Sequence, residues 1–472
     1  MTEQAPVILW FRRDLRLADH MALTAAVKSG RPVIPVFIYD ALTQGLGAAA
    51  QFRLSLSLAS LAADLAALGS RLILRRGPAL QVLREVAAAV GAFEIHWSRL
   101  YDPASKQRDV EVKSALQEDG FIVKSHKGHV LFEPWTVQTK TGGFYRVFTP
   151  LWKNVRTIDL PVCLEAPHHL MPVARWPASD DLADWQMEVP MHRGADVLRA
   201  HCTVGEVAAA TRLDQFIDER VESYKNNRDL PAVDGTSRLS ENLTYGEISP
   251  LQCWHAGWRA LHEGKADAEV FLKELVWREF AYHLVHHTPE IISRNWKPVW
   301  DDFPWNEVDT PEVVAWKQGR TGVPFVDAAM REMYVTGTMH NRGRMIVASY
   351  LTKHLMTHWK VGLDWFAQCL IDWDPASNAM GWQWSAGSGP DATPYFRVFN
   401  PVTQLDKFDK GRIYEERWIA EGRTRPSQTA LAYFDAVPKS WGLSPDDMYP
   451  QPVVDVAVGR KRALSAYENR SF

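Results

Sequence analysis

Val7-Ile8-Leu9-Trp10-Phe11, closed by Arg12-Arg13, is the first of a series of short runs rich in β-branched and other apolar residues that decides the architecture of the first third of the chain. It reads as a strand, and so do Val33 to Tyr39, Arg71 to Leu74, Phe93 to Trp97 and Phe121 to Val123. Between them, Met21 to Ser29, Gln51 to Leu68, Ala79 to Val90 and Ala104 to Glu118 are alanine- and leucine-rich and read as helices. Strands regularly spaced by helices imply right-handed βαβ crossovers and a doubly wound parallel α/β sheet over about residues 1–130. Such a sheet binds ligands at its C-terminal edge. Neither GxGxxG nor GxxxxGK[ST] follows any of these strands, so a conventional dinucleotide or triphosphate site there is not expected.

Working outward, residues 131–205 read as a connector. Pro150, Pro161, Pro167, Pro172, Pro177 and Pro190, with Asp180 and Asp181, interrupt any sustained period. From 206 to 472 the pattern is helices and loops with no convincing strand. Thr203 and Glu206 are spaced as a capping box ahead of Ala209, Leu213, Phe216 and Ile217, and Ser249, Pro250 and Gln252 repeat the start signal.

The whole chain has 472 residues, enough for two or three packed units, and 53 Lys+Arg against 56 Asp+Glu give a net charge of −3. A nucleic-acid partner must therefore meet a local basic patch. Cys163, Cys202, Cys253 and Cys369 are too scattered for a zinc ribbon or a redox pair and too few for a disulfide framework; no metal site is expected, and a reducing cytoplasm is the expected home. The apolar stretch Ala5 to Phe11 precedes its arginines, the wrong order for a secretory signal, and no run reaches the length of a membrane span. The anomaly is tryptophan: 20 residues, most of them between Trp254 and Trp441.

Four segments carry chemistry. Thr236-Ser237-Arg238-Leu239-Ser240 offers hydroxyls and a guanidinium suited to phosphate oxygens, or a helix cap. In Glu274-Leu275-Val276-Trp277-Arg278-Glu279-Phe280 a carboxylate, an indole and a guanidinium share one helical face, which either grips a flat ligand or simply pairs Glu274 with Arg278 at the surface. Met339-His340-Asn341-Arg342-Gly343-Arg344-Met345 is either a phosphate clamp or a solvated helix end. In Asp372-Trp373-Asp374 through Trp382-Gln383-Trp384, the two later indoles differ by about 200° around a helix axis and must face different surroundings.

Together with Trp10 to Arg16, Tyr224, Arg228 and the segment Pro394-Tyr395-Phe396-Arg397-Val398-Phe399-Asn400-Pro401, these motifs resemble the photolyase/cryptochrome family from about residue 7 to 445, and within it the class I cyclobutane pyrimidine dimer photolyases. The resemblance implies an N-terminal α/β antenna domain (1–130), a connector (131–205) and a helical FAD-binding and lesion-binding domain (206–472). It implies that Tyr224 and Thr236, Ser237, Arg238, Leu239 and Ser240 hold the diphosphate and ribityl region of FAD. Asp372 would pair with Arg344, Asp374 would meet the flavin edge, and Asn378 would sit by the flavin nitrogen protonated on reduction; Trp373, placed beside the cofactor, departs from relatives that carry a small residue there and would crowd or extend the electron path. Glu274, Trp277, Asn341, Arg342, Met345 and Trp384 would face a flipped dimer, with Arg228 tracking phosphates.

The same resemblance implies electron transfer to photoexcited flavin through Trp382, Trp359 and a third indole, for which Trp305 is chosen over Trp300 and Trp316. Folate-binding members carry a Cys-Lys pair where this chain has Ile292-Ser293 and a glutamate near Lys106 to Asp109, which leaves methenyltetrahydrofolate held differently, a deazaflavin, a flavin or no second chromophore; methenyltetrahydrofolate is preferred over deazaflavin. The implied activity is light-driven repair of damaged DNA by a soluble monomer that needs no membrane. The rival is a cryptochrome-like receptor, disfavoured by Asn378 in place of an acid and by the short stretch after 445. A (6-4) photoproduct lyase expects paired histidines that the segment around His340 lacks.

Overall fold

The computed structural model describes residues 4–391 and 397–470. Five parallel strands, β1 (Val7–Phe11), β2 (Val33–Tyr39), β3 (Ile73–Arg76), β4 (Glu94–Ser98) and β5 (Ile122–His126), form one sheet in the order β3-β2-β1-β4-β5. The expected α/β architecture is present. Alternate residues of β1 serve opposite faces: Val7, Leu9 and Phe11 enter one core, Ile8 and Trp10 the other.

The central strands fall where the apolar runs predict, but β3 and β5 extend further. β3 runs on to Arg76 and β5 to His126. Both are edge strands, whose outer positions tolerate polar side chains that a reading based on apolar residues excludes. Arg76, for example, lies over the Tyr39 ring at 5.3 Å.

The switch point between β1 and β4 is filled by the protein itself. Arg12 lies 4.3 Å from the Trp10 ring centre and pairs with Asp109 at 2.9 Å, while Arg108 bridges Asp109 at 2.9 Å and Asp40 at 2.8 Å. The connector is more structured than its prolines suggest. It contains the helix Phe148–Val155, then covers the β3 edge: Asp180 N–H donates to Leu74 O at 2.7 Å and its carboxylate accepts from Arg76 N at 2.8 Å.

Beyond it, helices dominate, and among the described residues the only β pairing after 206 is an isolated bridge between Asn306 and Thr357. Ser249 and Gln252 form the expected capping box. Thr203 and Glu206 do not: Gly205 occupies the cap position at φ +93°, and Glu206 instead accepts from Leu17 N at 2.7 Å and Ala18 N at 2.8 Å. That carboxylate satisfies the loop after β1 and so ties the sheet to the helices. Gly246 completes the junction. At φ +70° it approaches so closely that a Cβ there would stand 2.2 Å from Arg13 O. Among the described residues no helix is long and apolar enough to cross a membrane.

Candidate active site

The helices enclose a cavity of about 1090 Å³, and segments separated widely in sequence line it. Thr236, Ser237, Arg238, Leu239 and Ser240 all border it, as does Tyr224. Arg238 adopts φ +52°, a left-handed conformation unusual for a side chain of this size, and Arg212 supports it by donating to Arg238 O at 2.7 Å. Ser240 begins a short helix but supplies no side-chain cap, so the capping alternative for this segment does not hold.

A second stretch of wall is Asp372 to Asn378. Asp374 caps the helix Pro375–Ala386 by accepting from Ser377 N at 2.7 Å, and its carbonyl accepts from Asn378 Nδ2 at 2.9 Å. Its other carboxylate oxygen meets Arg13 at 3.1 Å and the Tyr282 hydroxyl. Burial opposes ionisation of Asp374, but Arg13 and then Arg278 outweigh it and hold the carboxyl below its ordinary range. Arg13 stands immediately beyond β1, so the sheet fixes one edge of the site. Asp372 pairs with Arg344 at 2.7 Å through Oδ2, while its buried Oδ1 has no hydrogen-bond partner in the protein. Trp373 does not line the cavity. Asp372 and Asp374 on either side of it do, while the indole packs, partly buried, against the hydrophobic core that also supplies Trp382 and Phe366 to the lining.

The helix Ala268–His287 supplies the remaining wall. Glu274, Trp277 and Arg278 all face the cavity, as their shared face predicts, but Glu274 pairs with Arg228 and not with Arg278. Arg278 turns to Glu279 at 3.0 Å and His129 at 3.3 Å. Burial pushes the Glu279 carboxyl up to about 7 despite Arg278 and the backbone N–H groups of Phe132 and Leu131. Asn341, Met345 and Trp384 also line the cavity, Asn341 reaching Met345 Sδ at 3.9 Å. Arg342 does not. It pairs with Asp229 at 2.6 Å and lies 4.2 Å from the Phe408 ring centre. Arg397 lines the cavity, whereas Pro394, Tyr395 and Phe396 of the same motif lie outside the described residues.

Two sequence profiles match the chain: one described as "DNA photolyase" over residues 7–170, the other as "FAD binding domain of DNA photolyase" over 271–469. The deoxyribodipyrimidine photo-lyase of Agrobacterium fabrum is 44% identical over 468 residues, 98% of each chain. The chain belongs to the photolyase family. A crystal structure described as a bacterial class III photolyase from Agrobacterium tumefaciens superposes with a TM-score of 0.91 at 43% identity, covering 99% of this chain and 98% of that one. Cryptochrome-2 of Arabidopsis thaliana is 34% identical over 97% of this chain and 78% of its own. The sequence motifs resemble class I enzymes and this structural neighbour is described as class III, so the assignment rests on the family.

For a photolyase the lining has the right chemistry for FAD. Hydroxyls and guanidiniums for a diphosphate gather at one stretch, and the orphaned Asp372 Oδ1 awaits a donor such as an imide N–H at a flavin edge. Of the three tryptophans expected to carry electrons, one reaches the cavity. Trp382 borders the cavity, 3% exposed, against Phe366 at 4.9 Å and Trp316 at 6.1 Å. Trp359 and Trp305 stand away from the cavity. Trp359, fully buried, donates to Asn295 Oδ1 at 2.8 Å and neighbours His358 at 5.3 Å, which in turn meets Trp305 at 5.2 Å. Trp305 stacks on Trp300 at 5.5 Å and is itself buried, with 9% exposure. Trp316 is fully buried beside Trp382, which suits it poorly as a surface terminus.

Proposed function

We propose that this chain is a light-driven DNA repair lyase that splits cyclobutane pyrimidine dimers into their monomers. The observation that carries this reading is one cavity with two kinds of wall: a phosphate- and flavin-suited side at 236–240 and 372–378, and a side offering Glu274, Trp277, Asn341, Met345 and Trp384 to two linked pyrimidine bases. Reduced flavin, when bound, would supply on absorbing blue light the electron that opens the cyclobutane ring and would take it back as the two pyrimidines part, leaving no net oxidation. The protein's part is to hold both molecules close, exclude water and orient the dimer.

Glu274 accepts hydrogen bonds from the lesion's base edge, and Trp277 and Trp384 offer flat apolar faces. Arg344 and Asp372 form a polar pair for the flavin edge, and Asn378 presents a neutral amide near the nitrogen that gains a proton. Arg228 contributes positive charge toward DNA phosphates, tempered by its pairing with Glu274. The test is blue-light repair of dimer-containing single- and double-stranded oligonucleotides by dithionite-reduced protein, read as regained intact thymines. No regain would favour the receptor alternative.

Glu274→Ala sharpens this test. Losing a hydrogen bond from a charged group should weaken dimer binding about tenfold to a hundredfold with FAD content unchanged. Because the substitution also frees Arg228, the dependence of affinity on salt should steepen by about one phosphate contact. Loss of flavin, or an unchanged dimer affinity, would remove Glu274 from the lesion site.

The second chromophore is proposed to be methenyltetrahydrofolate, bound away from the sheet's switch point, since Arg12, Arg108 and Trp10 fill that crevice. Trp135, 43% exposed and flanked by His286 at 5.5 Å and Arg99 at 5.8 Å, offers a flat surface for a pterin. Trp135→Ala should leave FAD in place and lose a folate from the chromophores released by acid. Folate retained at wild-type stoichiometry would place it elsewhere.

A further inference from the structure

Phe148 packs its ring flat on Trp277, with centroids 3.8 Å apart and planes 4° from parallel. Aromatic pairs left to themselves prefer offset or edge-on arrangements with wider centroid separations, because stacked π faces repel. Something else must hold this pair. Two hydrogen bonds do: Phe148 N donates to Asp391 Oδ1 at 3.1 Å, and Asp391 N donates to Arg146 O at 3.3 Å. Asp391 lines the cavity and adopts φ +67°, a left-handed conformation that aspartate tolerates better than most side chains.

The contact belongs to a longer seam. Phe144 stacks on His287 at 4.7 Å, Tyr145 N donates to His283 Nε2 at 3.0 Å, and Phe148 meets Phe280 edge-on at 6.2 Å. Residues 287, 283, 280 and 277 recur at three- and four-residue spacing, so they descend one face of the helix Ala268–His287. The connector segment 144–148 runs along that face toward Glu274. It is pinned at its far end to the cavity rim by Asp391.

We infer that Phe148 and Asp391 are positioning residues for the lesion: they cover one face of Trp277 and lock its plane, leaving the other face to stack on the flipped dimer. The connector thereby forms part of the recognition wall. Ordinary core packing would explain a buried Phe148, but not its full overlap with a cavity-lining indole, nor a cavity-lining aspartate that bonds the backbone at both Arg146 and Phe148. This inference rests on the cavity being the dimer site.

The experiment uses the FAD-loaded protein in the dark and compares affinities for a dimer-containing oligonucleotide and the undamaged one of the same sequence. Phe148→Leu and Asp391→Ala should each lower the ratio of the two roughly three- to tenfold, the range an aromatic pair carries. FAD content and affinity for undamaged DNA should be kept. Phe148→Tyr, which retains the flat ring, and Asp391→Asn, which retains Oδ1, should restore the ratio. An unchanged ratio in Phe148→Leu, or an equal loss on undamaged DNA, overturns the inference while a Trp277→Ala control still loses discrimination. If Trp277→Ala also keeps the ratio, the reading of this wall as the lesion site falls with it.

Discussion

Trp382→Phe is expected to abolish photoreduction of oxidised FAD while chemically reduced protein still splits dimers under blue light. Phenylalanine is far harder to oxidise than indole at similar shape, so it interrupts electron flow without blocking the site. Repair begins from flavin already reduced and does not draw on the chain, which makes the reduced sample an internal control. Gly362 gives a second way to disturb the same step. A Cβ there would stand 2.1 Å from Trp382 Cη2, so Gly362→Ala must displace the ring and should slow photoreduction with every indole still present. Trp359→Phe should slow it less completely than Trp382→Phe. Trp316→Phe should barely matter, because that ring touches Trp382 from within the core and leads nowhere toward solvent. Photoreduction at the wild-type rate in Trp382→Phe would redirect attention to Trp373 and refute the route.

The molecule also shows which of its features a linear reading could reach. The central strands announce themselves as apolar runs because both faces of a parallel sheet are covered. The edge strands end in arginine, lysine and histidine, and a criterion based on burial misses those turns. Motif segments place most cavity residues, since a short stretch such as 236–240 or 372–378 carries its own chemistry. What escapes is partnership across the fold. Glu274 and Arg278, four residues apart, look like a pair, yet Arg228 and Glu279 claim them. Tyr282 reaches Asp374 across 92 positions, and no local pattern signals it. Trp373 sits between two cavity carboxylates in sequence yet does not line the cavity, because neighbours along a backbone need not share a direction.

The other large effect concerns Arg53, which no motif singles out. Its guanidinium is fully buried and bonds Glu241 at 2.9 Å, both oxygens of Glu247 at 2.9 and 2.7 Å, and Thr203 O at 2.7 Å. Glu241 and Glu247 are themselves 3% and 1% exposed. Arg53→Met keeps the length and apolar stem but leaves the buried Glu247 without a cation, held only by Ser57 and Asn242, and Glu241 with Arg212 alone, and removing one partner of such a buried pair costs about 3–5 kcal/mol. A lower midpoint in chemical denaturation checks it. The damage should not stay local. Glu241 also accepts from Arg212 at 2.6 Å, and Arg212 is the group that holds the strained Arg238 carbonyl in the phosphate-suited loop. Arg53→Met should therefore release bound flavin faster as well as unfold earlier. Adding Glu247→Gln to the same protein should recover part of the stability by removing one stranded charge. An unfolding free energy within about 1 kcal/mol of wild type, with flavin retained, would mean that water or side-chain movement relieves the buried carboxylates and that the network does not carry the loop.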